Sequence, residues 1–187
     1  REQDVCEDWP ESEPKMTREL PDQRNSVLNG ICPYFTMFPL EFPYRVLRLH
    51  AGNGCKVLDP FCGRGTSLYA ARMLGMPAYG IDSNPVAVAI SRAKLANTTP
   101  TAIVAAAQRI LNDSSPVTCP DDEFWRLAYA PEVLNSLCSL RSGLLDNASS
   151  AARQALVGII LGALHGPMPK SAPSYFSNQC TRTFAPK

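Results

Sequence analysis

The chain has 187 residues, of which 45% are hydrophobic and 19% are charged, and its formal net charge is +1. This length and composition predict one globular domain with its own core and exclude a disordered chain. The near-neutral charge provides no overall basic surface for nucleic acid, although a local basic face would be sufficient for binding.

The cysteines and the apolar runs indicate the cellular setting. Seven cysteines occur without a Cys-x-x-Cys pair, so the spacing typical of metal ligands is absent, and reduced thiols in a cytoplasmic protein are the simplest interpretation. The most apolar helix-like run, residues 155–164, is too short to span a bilayer. We therefore expect a cytoplasmic protein with no metal site and no membrane contact.

Residues 1–30 are polar and rich in acids and prolines, with neither a helical nor a strand period, so we expect an extended N-terminal arm. The aromatic string PYFTMFP follows at residues 33–39, and helical spacing then predicts a helix over residues 39–50. Two interpretations of the aromatic string stay open. It is a buried loop that packs on the core, or it forms one wall of a ligand pocket.

Residues 57–82 carry the pattern around which the chain is organised. A short apolar run ends at Asp59, a loop with Gly63 and Gly65 follows, and a helical pattern then leads to a second apolar run and Asp82. This order is the sequence form of a βαβ nucleotide-binding unit. Asp82 lies 19 residues after Gly63, close to the spacing of roughly 20 residues expected for a ribose-binding acid. We therefore predict a pocket for the adenosine part of a cofactor.

The pattern after Asp82 is helical. Ser83, Asn84 and Pro85 suit the start of a helix. Helical patterns cover residues 86–97, 101–111, 122–128, 132–145 and 149–165, with a break between the second and the third. No third strand stands out, so a helical segment is predicted over residues 99–165.

Residues 166–187 have the composition of a loop and combine basic, aromatic and amide side chains. Such a mixture can hold a nucleic-acid backbone and stack on bases. An ordinary solvated loop is the alternative interpretation. The candidate nucleic-acid contacts are Lys170, Tyr175, Asn178 and Arg182.

Four strings resemble motifs of one enzyme family. DPFCGRGTS, at residues 59–67, is similar to the first cofactor motif of S-adenosylmethionine-dependent methyltransferases, in particular those that methylate exocyclic amino groups of DNA bases. PYFTMFP resembles the motif that these enzymes place before the glycine loop, and GIDSNP, at residues 80–85, resembles their second motif. The string at residues 174–187 resembles the segment just ahead of the catalytic motif in site-specific enzymes of the N4-cytosine and N6-adenine type.

The resemblance implies an α/β, Rossmann-like methyltransferase fold, S-adenosylmethionine as cofactor and DNA as partner. It gives Asp82 the role of accepting hydrogen bonds from the ribose hydroxyls, which a carboxylate can do for both at once. Cys62 is expected only to pack under the loop, because a methyl pocket needs no thiol nucleophile. The cofactor-binding residues implied are Phe35, Thr36, Met37, Asp59, Pro60, Phe61, Gly63, Gly65, Thr66, Asp82 and Ser83.

The same resemblance suggests how the chain is divided. Residues 1–30 would be the arm and residues 31–98 the S-adenosylmethionine-binding βαβ core. Residues 99–165 would be an insertion or a target-recognition part, and residues 166–187 a loop leading to the catalytic motif.

The sequence departs from the family in one respect. Amino-methyltransferases of this kind carry an acid, Ser or Asn followed by Pro-Pro and an aromatic residue, which bind the target amino group and stack on a flipped base. No Pro-Pro pair occurs in this sequence, so the catalytic residues are not assigned. Two strands are also too few for the expected sheet. We therefore expect an incomplete fold, with the catalytic motif on the remainder of the polypeptide or on a second subunit.

Three functions remain open from the sequence. The first is the cofactor-binding part of a DNA methyltransferase acting on N4 of cytosine or N6 of adenine, either in a restriction–modification system or as a solitary enzyme. The second is an RNA base N-methyltransferase, since some of these share the DPFCGxG string. The third is a non-catalytic cofactor-binding subunit or fragment that needs a partner.

Overall fold

The computed structural model describes residues 27–32, 39–52, 54–113, 115–146, 149–164 and 176. This part is mixed α/β, and it contains each predicted helix and strand within two residues of the predicted bounds. The strands are β1 (Val57–Asp59) and β2 (Ala78–Gly80), and a 3-10 turn lies at Val27–Gly30. The α-helices are α1 (Glu41–His50), α2 (Thr66–Met73), α3 (Pro85–Leu95), α4 (Pro100–Leu111), α5 (Glu123–Ala128), α6 (Pro131–Asp146) and α7 (Ala151–Ala163).

Capping side chains set the starts of several helices. Asn84 accepts a hydrogen bond from the backbone N–H of Val86 at 2.9 Å, and Thr99 accepts one from Ala102 at 3.2 Å. A proline occupies the first turn in both helices, where its missing N–H costs nothing. Each cap pairs one of the backbone donors that a helix start leaves without a partner. These are local signals, so the helix starts follow the sequence closely.

The two strands pair in parallel, with Val57 opposite Ala78 and Asp59 opposite Gly80. Helix α2 forms the crossover between them and packs on one face of the pair. A Cβ atom at Gly80 would lie 2.5 Å from Cδ1 of Leu68 on α2, so glycine permits this close approach of helix and strand. The predicted βαβ unit is therefore present.

The other face of the strand pair is open in the part of the chain that the structure describes. Leu58, Tyr79 and Ile81 are 66%, 60% and 60% exposed. Leu58 and Tyr79 are register partners, and alternate residues of a strand share a face. Parallel sheets normally have both faces covered. The described residues therefore supply one of the two layers that such a sheet requires.

The helical segment packs on α3, the helix that follows the βαβ unit. Helix α7 packs against both α3 and α4, and at Gly158 the absence of a side chain lets α7 approach Ala93 of α3 closely. Ile110, Leu140, Leu144 and Leu156 form a buried cluster between α4, α6 and α7. Among the described helices, none has both the length and the hydropathy needed to cross a membrane.

Gly65 and Gly75 offer a matched test of this packing. Both have left-handed backbone, with φ of +69° and +70°, so alanine at either site should cost about 1–2 kcal/mol. A Cβ at Gly65 would also lie 2.7 Å from Oγ of Ser91, whereas nothing lies within 4 Å of a Cβ at Gly75. Gly65→Ala should therefore lose about 1–3 kcal/mol more than Gly75→Ala in urea unfolding. Equal losses would contradict the close packing of Gly65 on α3.

Candidate cofactor-binding site

The two acids singled out in the sequence meet at one edge of the strand pair. Asp59 is the last residue of β1, and Asp82 lies two residues beyond the end of β2. The strands are parallel, so their carboxyl ends lie at the same edge, which is where ligands bind in open α/β sheets. The ladder continues past the strands, because Ile81 donates to the carbonyl of Asp59 at 2.9 Å and Cys62 donates to the carbonyl of Ile81 at 3.0 Å.

The carboxylate of Asp82 organises the loops at this edge. Its Oδ2 accepts a hydrogen bond from the backbone N–H of Gly63 at 2.8 Å, and its Oδ1 accepts one from Asn84 at 2.8 Å. The acid after β2 thus holds both the glycine loop and the residue that caps α3. A carboxylate has roughly four acceptor positions, so Asp82 retains capacity for about two further donors.

The two glycines of the loop play different roles. Gly63 has φ of +49°, and nothing lies within 4 Å of where its Cβ would be, so open space adjoins the backbone there. At Gly65 the equivalent space is filled by Ser91. A ligand at this edge can therefore approach the backbone at Gly63, whereas Gly65 serves the packing of the loop on α3.

The aromatic residue of the loop points to solvent. Phe61 is 88% exposed, although its backbone N–H is held by Oδ1 of Asp59 at 3.1 Å. Phe61 therefore does not pack under the loop. Cys62, which is expected to pack there, is buried, and burial raises the pKa of its thiol.

The remaining predicted site residues divide into two sets. Pro60 and Ser83 are exposed beside the loops, and Thr66 is buried as the first residue of α2. The other set lies outside the described residues and stays a prediction. It comprises Phe35, Thr36 and Met37, together with the candidate nucleic-acid contacts Lys170, Tyr175, Asn178 and Arg182.

The structure also brings together residues that the sequence analysis did not single out. Oγ of Ser91 donates to the carbonyl of Gly63 at 2.8 Å. Nη2 of Arg64 donates to the carbonyl of Ile31 at 2.9 Å, and Nζ of Lys94 donates to Oδ1 of Asn29 at 3.0 Å. In the sequence, only Arg64 could have been noticed, because it lies between the two glycines of the loop. The hydrogen-bond partners of all three side chains are distant in sequence, so no local pattern predicts them.

Arg64 and Lys94 are buried cations close to each other. Burial, with the charge of Arg64 added, lowers the pKa of Lys94 to about 8, and burial also lowers the pKa of Arg64. Among the described residues no carboxylate pairs with either group. In the same part of the chain, Nε of Arg64 is buried and has no hydrogen-bond partner. Neutral carbonyl and amide oxygens therefore hold both cations.

A cavity of about 410 Å³ lies elsewhere on the unit. Arg72, Met76 and Ala78 contribute to its lining, which places it at the amino end of β2. Ligands of open parallel sheets bind at the carboxyl ends of the strands, so this cavity is separate from the candidate site. Within the described residues, no cluster of three or more His, Cys, Asp or Glu could hold a metal ion.

Comparison with known proteins bears on the same residues. Residues 6–93 match the model of a family described as DNA methylase. The chain is also 33% identical over 73 residues to the Type II methyltransferase M.MjaII of Methanocaldococcus jannaschii. The resemblance to DNA amino-methyltransferases is confirmed. That alignment covers 39% of this chain and spans only 14% of the length of M.MjaII.

The DNA methylase match includes the glycine loop and Asp82, whereas residues 94–187 lie outside it. No solved structure matches the chain.

The pKa of Lys94 gives a testable pH dependence. Its folded-state pKa of about 8 lies below the ordinary value of 10.5, so between these values the unfolded chain binds a proton that the folded chain does not. The contribution of Lys94 to the free energy of unfolding should therefore rise as the pH increases from 8 to 10.5, by up to roughly 3 kcal/mol. Relative to Lys94→Met, the wild-type free energy of unfolding should increase over this range in urea titrations. Arg64 and Cys32 face Lys94, and the pKa of the Cys32 thiol responds to its charge, so the difference between the profiles includes a contribution from Cys32. Parallel pH profiles would contradict a buried charge at Lys94.

Proposed function

We propose that this chain is the S-adenosylmethionine-binding part of a DNA methyltransferase that modifies an exocyclic amino group, N4 of cytosine or N6 of adenine. The observation that carries the proposal is the position of Asp82. It lies at the carboxyl end of the strand pair, is fixed by the N–H groups of Gly63 and Asn84, and retains capacity to accept further hydrogen bonds.

The residues at this edge suit the parts of the proposed cofactor. Asp82 would accept the ribose hydroxyls, and the open space beside Gly63 would admit the ligand to the backbone. The carboxylate of Asp59, at the same edge, would attract the positive charges of the cofactor's sulfonium and amino groups. The exposed ring of Phe61 supplies apolar surface that a bound ligand can cover. When bound, the cofactor would supply an activated methyl group.

Other residues enter the proposal through the resemblance to the family. Phe35, Thr36 and Met37 would close the methionine side of the pocket, and Pro60, Gly65, Thr66 and Ser83 would complete the loops around it. Lys170, Tyr175, Asn178 and Arg182 are proposed to contact DNA.

The proposed fold is Rossmann-like and is completed by further polypeptide. The exposed face formed by Leu58, Tyr79 and Ile81 supports this, since a parallel sheet is stable when both faces are covered. The Pro-Pro-aromatic motif would come from the rest of a longer polypeptide or from a second subunit. The small share of M.MjaII that this chain matches agrees with that assignment.

The helical segment 99–165 is proposed to be an insertion or a target-recognition part, and the direct packing of α7 on α3 favours an insertion that braces the cofactor unit. A cytoplasmic setting is proposed from the free thiols of Cys32, Cys55, Cys62, Cys119 and Cys138. Modification within a restriction–modification system is the proposed biological role.

Replacement of Asp82 tests the cofactor site. Asp82→Ala should weaken S-adenosylmethionine binding at least tenfold in isothermal titration, because hydrogen bonds to a charged group contribute about 1.5–3 kcal/mol each. Asp113→Ala is a matched control, since Asp113 is an exposed acid in the loop after α4. If Asp82 contacts the ribose directly, wild type should bind an analogue without ribose hydroxyls more weakly than it binds S-adenosylmethionine. Asp82→Ala should bind the analogue and S-adenosylmethionine with equal affinity. Unchanged affinity in Asp82→Ala would refute the assignment.

Methyl transfer tests the division of labour. Incubated with labelled S-adenosylmethionine, residues 1–187 should label neither duplex DNA nor tRNA, because they contain no Pro-Pro-aromatic motif. Supplied with the polypeptide that carries this motif, they should label duplex DNA and leave tRNA unlabelled. Labelling of tRNA would favour the RNA methyltransferase alternative, and labelling of DNA by residues 1–187 alone would overturn the proposed absence of a catalytic centre.

A further inference from the structure

Buried side chains contact the glycine loop on the side that faces the protein interior, away from the proposed ligand site. Arg64, Ser91 and Lys94 are all buried, and Lys94 is completely inaccessible to solvent. Ser91 and Lys94 lie three residues apart on α3, which places them on the same face of that helix. Ser91 holds the carbonyl of Gly63, and Lys94 holds the side chain of Asn29.

Asn29 connects these contacts to the N-terminal part of the chain. Its side chain accepts the hydrogen bond from Lys94, and its backbone carbonyl accepts a long one, 3.4 Å, from Arg64. Arg64 also donates to the carbonyl of Ile31 at 2.9 Å. Residues 27–32 are thus tied both to the glycine loop and to α3. They are followed directly by the aromatic string at residues 33–39.

The conformation of the loop makes such support necessary. Gly63 and Gly65 both adopt the left-handed backbone conformation. Glycine populates this conformation no more than several others, so these two residues do not hold it by themselves. Fixing such a loop in one conformation costs conformational entropy. If the fold does not fix the loop, this cost is subtracted from the free energy of ligand binding. Hydrogen bonds from Arg64 and Ser91 fix the loop before any ligand arrives.

We propose that Arg64, Ser91 and Lys94 are positioning residues that preset the glycine loop for cofactor binding, with Asn29 as the shared anchor of Arg64 and Lys94. The inference rests on the proposed function for the identity of the ligand. It goes beyond that function by assigning cofactor affinity to residues that do not contact the cofactor, and by making the turn at residues 27–32 part of the site.

Binding measurements on matched variants test this role. Arg64→Met removes the guanidinium, and Arg153→Met is its control, because Nη1 of Arg153 likewise donates to a backbone carbonyl, that of Gly143, at 2.8 Å. Arg64→Met should weaken S-adenosylmethionine binding about tenfold in isothermal titration on folded protein, whereas Arg153→Met should bind like wild type. A purely structural role would lower the unfolding temperature of both variants without changing the affinity of either.

A second pair covers the case in which Arg64→Met does not fold. Ser91→Ala removes one hydroxyl and should weaken binding about threefold to tenfold. Ser136→Ala is its control, since Oγ of Ser136 donates to the carbonyl of Glu132 within α6, far along the chain from the loop. Asn29→Asp keeps an acceptor for Lys94 and should bind at least as tightly as Asn29→Ala. Wild-type affinity in both Arg64→Met and Ser91→Ala would overturn the inference and leave the proposed function intact.

Hydrogen exchange separates the two proposals without a ligand. In the free protein, amide exchange over residues 60–68 should be faster in Arg64→Met and Ser91→Ala than in wild type, and unchanged in the two control variants. Unchanged exchange in all four variants would overturn the positioning role. Failure of wild type to bind S-adenosylmethionine, together with faster exchange in these variants, would overturn the proposed function alone.

Discussion

The carboxylate of Asp82 is the constraint on which the rest of the site depends. One side chain accepts the N–H of Gly63 at the end of one strand and the N–H of Asn84 at the start of α3. Charged acceptors make the stronger hydrogen bonds in proteins, so a single residue sets the spacing between the glycine loop and the next helix. A contact with a ribose would add to this role, because the carboxylate has acceptor positions left over.

The interior side of the glycine loop contains two buried positive charges, an arrangement that is unfavourable in free energy. Two cations, Arg64 and Lys94, are buried together, and within the described residues neutral carbonyl and amide oxygens hold them, with no carboxylate to offset either charge. Burial lowers the pKa of both groups. Perturbed pKa values of this kind are common at functional sites. Here its structural result is that residues 27–32, the glycine loop and α3 are joined at one place.

Among the described residues, one face of the strand pair is covered by helices and the other is exposed. Helix α2 covers one face of the strand pair, and α7 covers α3 from outside, so the helical side is layered and well packed. The opposite sheet face, with Leu58, Tyr79 and Ile81, has no comparable cover among the described residues. Such a surface is typical of an interface with further polypeptide.

The sequence by itself determined the local structure and the identity of the main loop. Helix starts were predictable because Asn84, Thr99 and the prolines after them act within one turn, and the glycine loop and Asp82 were predictable because they are read from spacing. Tertiary structure decided which side chains meet across long intervals. Lys94 and Asn29 are 65 residues apart, and Ser91 and Gly63 are 28 apart. No periodicity or motif encodes those pairs, because they depend on how α3 packs against the loop and the turn. For the same reason, the sequence indicated the glycine loop and Asp82 as candidate site residues, but not the buried side chains of Ser91 and Lys94 that the fold brings to the loop and the turn.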